Sequence, residues 1–170
     1  MRGGRPHAAR LRPRDRPQAD AVVVGHSLGG QTIAHVAAKT RVYLGAIVPV
    51  ENPFADAFAE GFGGFVRDEA GRSYWPDADT AAARMYPDCS RMQSDWAFAH
   101  LRRQAPIHAM TAPFGKRDIV IATMRDAAVD AGRQIATARK HGARVVELDA
   151  GHSPFLTQPD ELADVLNELA

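Results

Sequence analysis

Ala21-Val22-Val23-Val24-Gly25-His26-Ser27-Leu28-Gly29-Gly30 passes from a short β-branched run, through a serine set among glycines, into a helical pattern. A run of that kind ending in glycine reads as a buried parallel strand. The spacing of Ile33, Val36 and Ala37 predicts a helix over 28–39. Gly-x-Ser-x-Gly at a strand-to-helix junction is the nucleophile-elbow pattern. A reactive hydroxyl must stand clear of the sheet on a turn too tight for neighbouring side chains, and Gly25 and Gly29 are expected to supply that room. The helix beginning beyond Ser27 would point its unpaired N–H groups toward a developing oxyanion, with the Leu28 N–H as the first donor.

The rest of the chain extends the same alternation. Tyr43–Val50 reads as a second strand, Asp118–Thr123 (DIVIAT) as a third and Val145–Leu148 as a fourth. Helices are expected over 128–141 and Pro159–Leu169, the latter with Leu162, Val165, Leu166 and Leu169 on one stripe. The order βαβ…βαβα implies an α/β fold with a mostly parallel sheet. Between the second and third strands lies a long segment rich in Phe, Trp, Tyr, Met, Gly and Pro. It reads as a helical cap at about 52–105, with helices at Ala55–Glu60, Asp79–Met85 and Ser94–Leu101. Its aromatics, Phe54, Phe58, Phe62, Phe65, Trp75 and Trp96, are expected to form mainly lid core, some of them lining a substrate pocket.

A serine nucleophile needs a base, and the base needs an orienting acid. On this topology the order is serine, acid, histidine, with the histidine after the last strand. Gly151-His152-Ser153-Pro154 occupies that place. For the acid, Asp126 lies three residues beyond DIVIAT, at the carboxyl edge where ligands gather. Asp118 starts the strand at the opposite edge, Asp130 is already inside a helix, and Asp149 comes after the strand that should separate acid from base. Asp126 is therefore the expected acid.

GHSLGG, YLGAIVPV, ATMRDAAV and GHSPFLTQPDELADVL resemble the α/β-hydrolase fold-1 superfamily, within it the serine esterases related to the hydroxynitrile lyase and methyl-esterase branch. The resemblance covers roughly Ala21 to Ala170 and is weakest in the cap. It implies a mostly parallel sheet with helices on both faces and a small helical cap. It also implies Ser27 as nucleophile, Asp126 as acid and His152 as base. Members of that superfamily place several strands before the elbow, and a loop there, often His-Gly, supplies a second oxyanion donor. Here 20 residues precede the elbow strand and contain no strand pattern, only Gly3-Gly4. The expectation is a partial domain over 21–170, N-terminally truncated with its first strands missing, and an uncovered flank compatible with a homo-oligomer.

Composition bounds the alternatives. At 45% apolar and 24% charged, 170 residues suffice for one domain with a core. Residues 1–18 carry six arginines against Asp15, leaving the remainder mildly acidic within a net charge of +1. That distribution argues against a nucleic-acid-binding body, and residues 1–20 read as a basic, disordered head outside the fold. No apolar run approaches the ~18 residues of a membrane span. The single Cys89, expected to be buried, supports neither a disulfide framework nor a cysteine-rich zinc module. His26 is expected to be structural, and His35, His100, His108 and His141 share no metal-ligand spacing. Gly25-x4-Gly30-Gln31-Thr32 fits a phosphate loop except that Gln31 stands where the lysine belongs, which removes the main cationic partner.

The expected function is therefore hydrolysis of a small carboxylic ester through an acyl-enzyme, with no cofactor or metal and no partner beyond the small-molecule ester. One competing expectation is an inactive hydrolase fragment. Another is hydroxynitrile lyase-like chemistry on the same three residues, for which Lys116 is the only lysine flanking the cap. The 18 arginines against three lysines fit a GC-rich bacterial source, and the expected location is cytoplasmic.

Overall fold

The computed structural model describes residues 21–50, 64–105 and 111–169. The basic head, the expected helix Ala55–Glu60, His108, Phe54, Phe58 and Phe62 lie outside them. In chain order the elements are β1 (Val22–His26), α1 (Gly29–Ile33), β2 (Thr40–Leu44), β3 (Val66–Arg67), β4 (Ser73–Tyr74), α2 (Ala78–Met85) and α3 (Arg91–His100). Then come β5 (Asp118–Thr123), α4 (Ala131–His141), β6 (Arg144–Leu148), α5 (Pro154–Thr157) and α6 (Pro159–Leu169). Four strands form a parallel sheet in the order β1-β2-β5-β6, with Val24 beside Val42, Val42 beside Ile119 and Ile121 beside Val146.

Successive side chains of a strand face opposite sides of the sheet, and the two cores follow from that alternation. Tyr43, Val120 and Ala122 pack with Ile33 of α1 and with Ile135 and Ala138 of α4 on one face. Val42, Leu44, Ile119 and Ile121 pack with Leu162 and Leu169 of α6 on the other. All six residues of β5 are buried, as a central strand covered on both faces requires. Each aliphatic side chain so buried stabilises the fold by roughly 1.5–3 kcal/mol. In α4 the buried positions Ala131, Gln134, Ile135 and Ala138 recur at helical spacing. Asp130 caps that helix by accepting the Arg133 N–H at 2.6 Å, and Gly142 closes it at φ 75°.

Several boundaries differ from the sequence expectation. The first helix is a five-residue turn rather than 28–39, so Val36 and Ala37 lie beyond it and Ala37 is exposed. The second strand is Thr40–Leu44 rather than Tyr43–Val50. Residues 46–49 are buried all the same, but as a loop whose Ile47 N–H donates to the Ser27 carbonyl at 3.1 Å. Apolar character reported burial there, and the hydrogen bonds that decide strand from loop are tertiary. The cap holds a small hairpin, β3–β4, that helical pattern reading passed over; its signal is the turn Asp68-Glu69-Ala70-Gly71. Asp68 organises it, accepting from the Ala70 and Arg72 N–H groups and from Arg103. Trp96, expected in the lid core, is 58% exposed and lies over His100. Cys89 is only partly buried, against the apolar side of α2 and α3, where burial and then the Asp88 charge push its thiol pKa up. Among the described residues no helix is long and apolar enough to cross a membrane.

Candidate active site

The four sheet strands end together, and Ser27, Gly45, Asp126 and His152 all lie just beyond their carboxyl ends, where open parallel sheets place ligands. Ser27 follows β1 directly. It has φ 52°, the one positive φ among the described non-glycine residues. A side chain in that region costs of order 1–3 kcal/mol and persists only where the surroundings impose it. They do so here: the Ser27 N–H donates to Leu44 O at 3.2 Å, and Ser27 O accepts from the Gly30 and Ile47 N–H groups.

The tight turn needs two glycines, and one of them is not the expected one. A Cβ on Gly25 would lie 2.6 Å from Gly29 O and 2.9 Å from Ile33 Cγ1. Gly29, in contrast, opens α1 with free space around it. The crowded position is Gly30, whose Cβ would lie 2.6 Å from Ile47 O. The motif's second glycine therefore contributes no clearance; the residue after it does, because the loop 45–48 packs there.

Asp126 and His152 meet beside this turn. Asp126 Oδ2 accepts from His152 Nδ1 at 2.8 Å and from Thr123 Oγ1 at 2.8 Å. Its Oδ1 accepts from the Ala128 and Val129 N–H groups at 2.7 and 2.8 Å. Neither side chain is solvent-exposed. Burial pushes the Asp126 pKa up, but the His152 hydrogen bond and charge, with the two backbone donors, outweigh it and hold the pKa below the ordinary aspartate value. A carboxylate can only accept, so His152 Nδ1 carries a proton toward Asp126. Nε2 is buried and without a hydrogen-bond partner among the described residues. Gly45, at φ 47°, lets the chain pass behind this pair, since a Cβ there would approach Thr123 Oγ1 at 2.9 Å and Asp126 Oδ2 at 3.1 Å.

The rival acids are committed elsewhere. Asp118, at the amino edge of β5, is 1% exposed and takes Arg41 Nε at 2.7 Å and Nη2 at 3.1 Å, plus the Gly115 N–H. Asp130 caps α4, and Asp149 pairs with Arg125 Nε at 2.8 Å. Lys116 lines an open groove at the amino edge with Lys39, Arg117 and Arg144, at the opposite end of the sheet from Ser27.

His26 supports the site from behind. Its Nε2 donates to the His152 carbonyl at 2.8 Å, its ring lies 4.6 Å from the His152 ring, and Phe155 meets it edge-on at 5.0 Å. Burial, then the His152 charge, lower its pKa from the ordinary 6.5 to about 4. The proton that folded His26 refuses is taken up on unfolding, so acid favours the unfolded chain. Its contribution, at most about 3 kcal/mol, is complete above pH 6.5 and is lost as the pH falls toward 4. In urea unfolding at pH 7.5 and 4.5, His26→Gln is expected to lose about 2 kcal/mol less than the parent chain between the two pH values. Parallel losses would rule out this role for His26.

In front of Ser27 lies a cavity of about 130 Å³ lined by Ser27, Leu28, Ile47, Phe65, Ser73, Tyr74, Trp75, Met85, Arg102 and Gln104. Most of its far wall comes from the hairpin and the strand-like segment after α3, joined by reciprocal backbone hydrogen bonds between Ser73 and Gln104 at 2.9 and 2.8 Å. Phe65 and Trp75 were legible as cap aromatics. Arg102 and Gln104 carry no local signal, and only the hairpin pairing brings them to the pocket.

A strained serine on a strand–turn–helix junction, beside a buried carboxylate–imidazole pair on a parallel sheet, defines the class of protein. The model of the Alpha/beta hydrolase family matches residues 6–165, and the chain belongs to that family of hydrolases. Among solved structures it is similar to polyneuridine aldehyde esterase, with 17% identity over 90% of this chain and 72% of the other and a TM-score of 0.72. A methylesterase from Arabidopsis matches at 19% identity over 92% and 72%, with a TM-score of 0.68. A pyrethroid hydrolase from Sphingobium faniae matches at 17% over 90% and 71%, with a TM-score of 0.65. A comparison with curated protein sequences finds no match.

Proposed function

We propose that the protein is a serine hydrolase that cleaves a small carboxylic ester through an acyl-enzyme. The observation that carries this reading is the His152 imidazole, held by Asp126 at Nδ1 with Nε2 left unpartnered among the described residues, at the same sheet edge as the strained Ser27. In the reaction Ser27 Oγ attacks the ester carbonyl while His152 Nε2 takes its proton. The tetrahedral oxyanion accepts from the Leu28 N–H at the start of α1. His152 then returns the proton to the leaving alcohol, and water, activated by the same nitrogen, releases the acid. Asp126 keeps the imidazole in the required tautomer and stabilises the imidazolium.

The pocket supports a small substrate. A cavity of about 150 Å³ accepts one benzene ring, so about 130 Å³ accommodates a group of roughly that size. A bacterial, cytoplasmic setting belongs to the same proposal and rests on the arginine-rich, single-cysteine composition. The test is to quench the chain during turnover of p-nitrophenyl acetate and map the modified residue by mass spectrometry. One acetyl group on Ser27 is expected. Hydrolysis with the label on another residue, or no label at all, would overturn the reading.

A further inference from the structure

The residues 149–153 that present His152 are held from two sides. On the sheet side, the Arg125 N–H donates to Ala150 O at 2.9 Å, and Arg125 Nη2 donates to Asp149 O at 2.7 Å. On the other side the partner is the cap. Asp88, in the turn between α2 and α3, accepts the Gly151 N–H on Oδ2 at 2.7 Å and the Thr157 hydroxyl at 3.3 Å. Met85 O, left without a partner by the end of α2 as the last carbonyls of a helix are, accepts from Ser153 Oγ at 2.9 Å. Gln93, whose Oε1 caps α3, donates from Nε2 to Leu156 O at 2.7 Å.

The approach at Gly151 is closer than any side chain would allow. A Cβ there would fall on the Asp88 carboxyl, 2.6 Å from its carbon and closer still to Oδ1. Only 10% of the Asp88 side chain is exposed, with Arg125 Nη2 3.9 Å from Oδ2. A mostly buried carboxylate that takes the Gly151 N–H beside the Thr157 hydroxyl, against a residue that must be glycine for it to fit, makes a specific bond. That N–H belongs to the residue before His152, so rotation at Gly151 would swing the imidazole directly.

We propose that Asp88 is a positioning residue: by accepting the Gly151 N–H it holds the loop that carries His152, so that the cap helices set the base. The proposal rests on the serine-hydrolase reading for its kinetic consequence. A base displaced by ~1 Å costs on the order of 10²-fold in turnover. Neither Asp88 nor Gly151 lines the pocket in front of Ser27, so the loss is expected in kcat and not in KM.

The test uses the full chain with two readouts. The first is kcat and KM for ester hydrolysis; the second is the NMR resonance of the His152 Nδ1 proton, identified by its loss in Asp126→Asn. Asp88→Ala is expected to lower kcat by about 10–100-fold, leave KM within about threefold and shift or broaden that resonance. Asp88→Asn, whose amide oxygen still accepts the N–H, is expected to restore both. An Asp88→Ala protein with parental kcat and resonance would overturn the proposal, as would an Asp88→Asn protein as impaired as Asp88→Ala. Should Asp88→Ala fail to fold, Gly151→Ala carries the test, because its Cβ must displace the carboxyl; parental kcat and an unmoved resonance there would equally overturn it. If Ser27→Ala hydrolyses ester at the parental rate, the serine reading falls, and the resonance alone then decides for or against Asp88.

Discussion

Ser27→Ala is expected to lower kcat for p-nitrophenyl acetate by on the order of 10⁴-fold or more, because the proposed acyl intermediate forms on the Ser27 oxygen. The fold should hardly change. Alanine at φ 52° carries the same backbone strain as serine, and Ser27 is held through its backbone N–H and carbonyl, which the substitution keeps. Ser27→Gly separates the two effects further. Glycine adopts a positive φ without steric cost, so the variant should be as inactive as Ser27→Ala yet more stable than it by about 1 kcal/mol. Urea midpoints with burst kinetics on the three proteins check both. Residual Ser27→Ala turnover near the parental rate would remove the serine from the mechanism, and a Ser27→Gly protein no more stable than Ser27→Ala would remove the strain.

The second large effect is expected at Asp126. Its carboxylate receives four donors, two on each oxygen, and Asp126→Asn places an NH₂ group where two of them arrive. With the backbone N–H groups of residues 128 and 129 holding the remaining oxygen, the amide faces His152 and favours the tautomer protonated at Nε2. An imidazole in that state cannot accept the serine proton, and kcat should fall by about 10⁴-fold. Asp118→Asn is the contrasting variant. It breaks a buried pair with Arg41, which costs about 3 kcal/mol of stability, and leaves kcat per folded molecule unchanged within about twofold. Steady-state kinetics normalised to folded protein distinguish the two, and the reverse pattern would exchange the roles assigned to these acids.

Much of this architecture is legible in the sequence. The glycine-flanked serine after Ala21–Val24, the wholly apolar DIVIAT run and the stripe of Leu162, Val165, Leu166 and Leu169 each carry a local period or turn signal. Periodicity reports which face of an element is buried, so the parallel sheet and its covering helices followed. The expected acid and base, Asp126 and His152, were placed by topology: parallel strands all point one way, so residues after their ends converge at one edge.

What the chain could not announce is whatever depends on two distant segments meeting. The loop 46–49 and a buried strand share one composition, and only the hydrogen bond from Ile47 to Ser27 distinguishes them. Gly30 rather than Gly29 gives clearance because of where that loop packs. The hairpin that brings Arg102 and Gln104 to the pocket, and the Asp88 carboxyl on the Gly151 N–H 63 positions away, have no sequence period at all. Local pattern is set by the backbone's own repeat and the burial of one face, whereas clearance, register and polar pairing are set by which surfaces touch. The sequence by itself therefore determined the sheet and the order of its candidate site residues. The tertiary structure alone decided the strain at Ser27, the position of His152 Nε2, unpartnered among the described residues, and the hydrogen bonds from the cap to the loop that carries it.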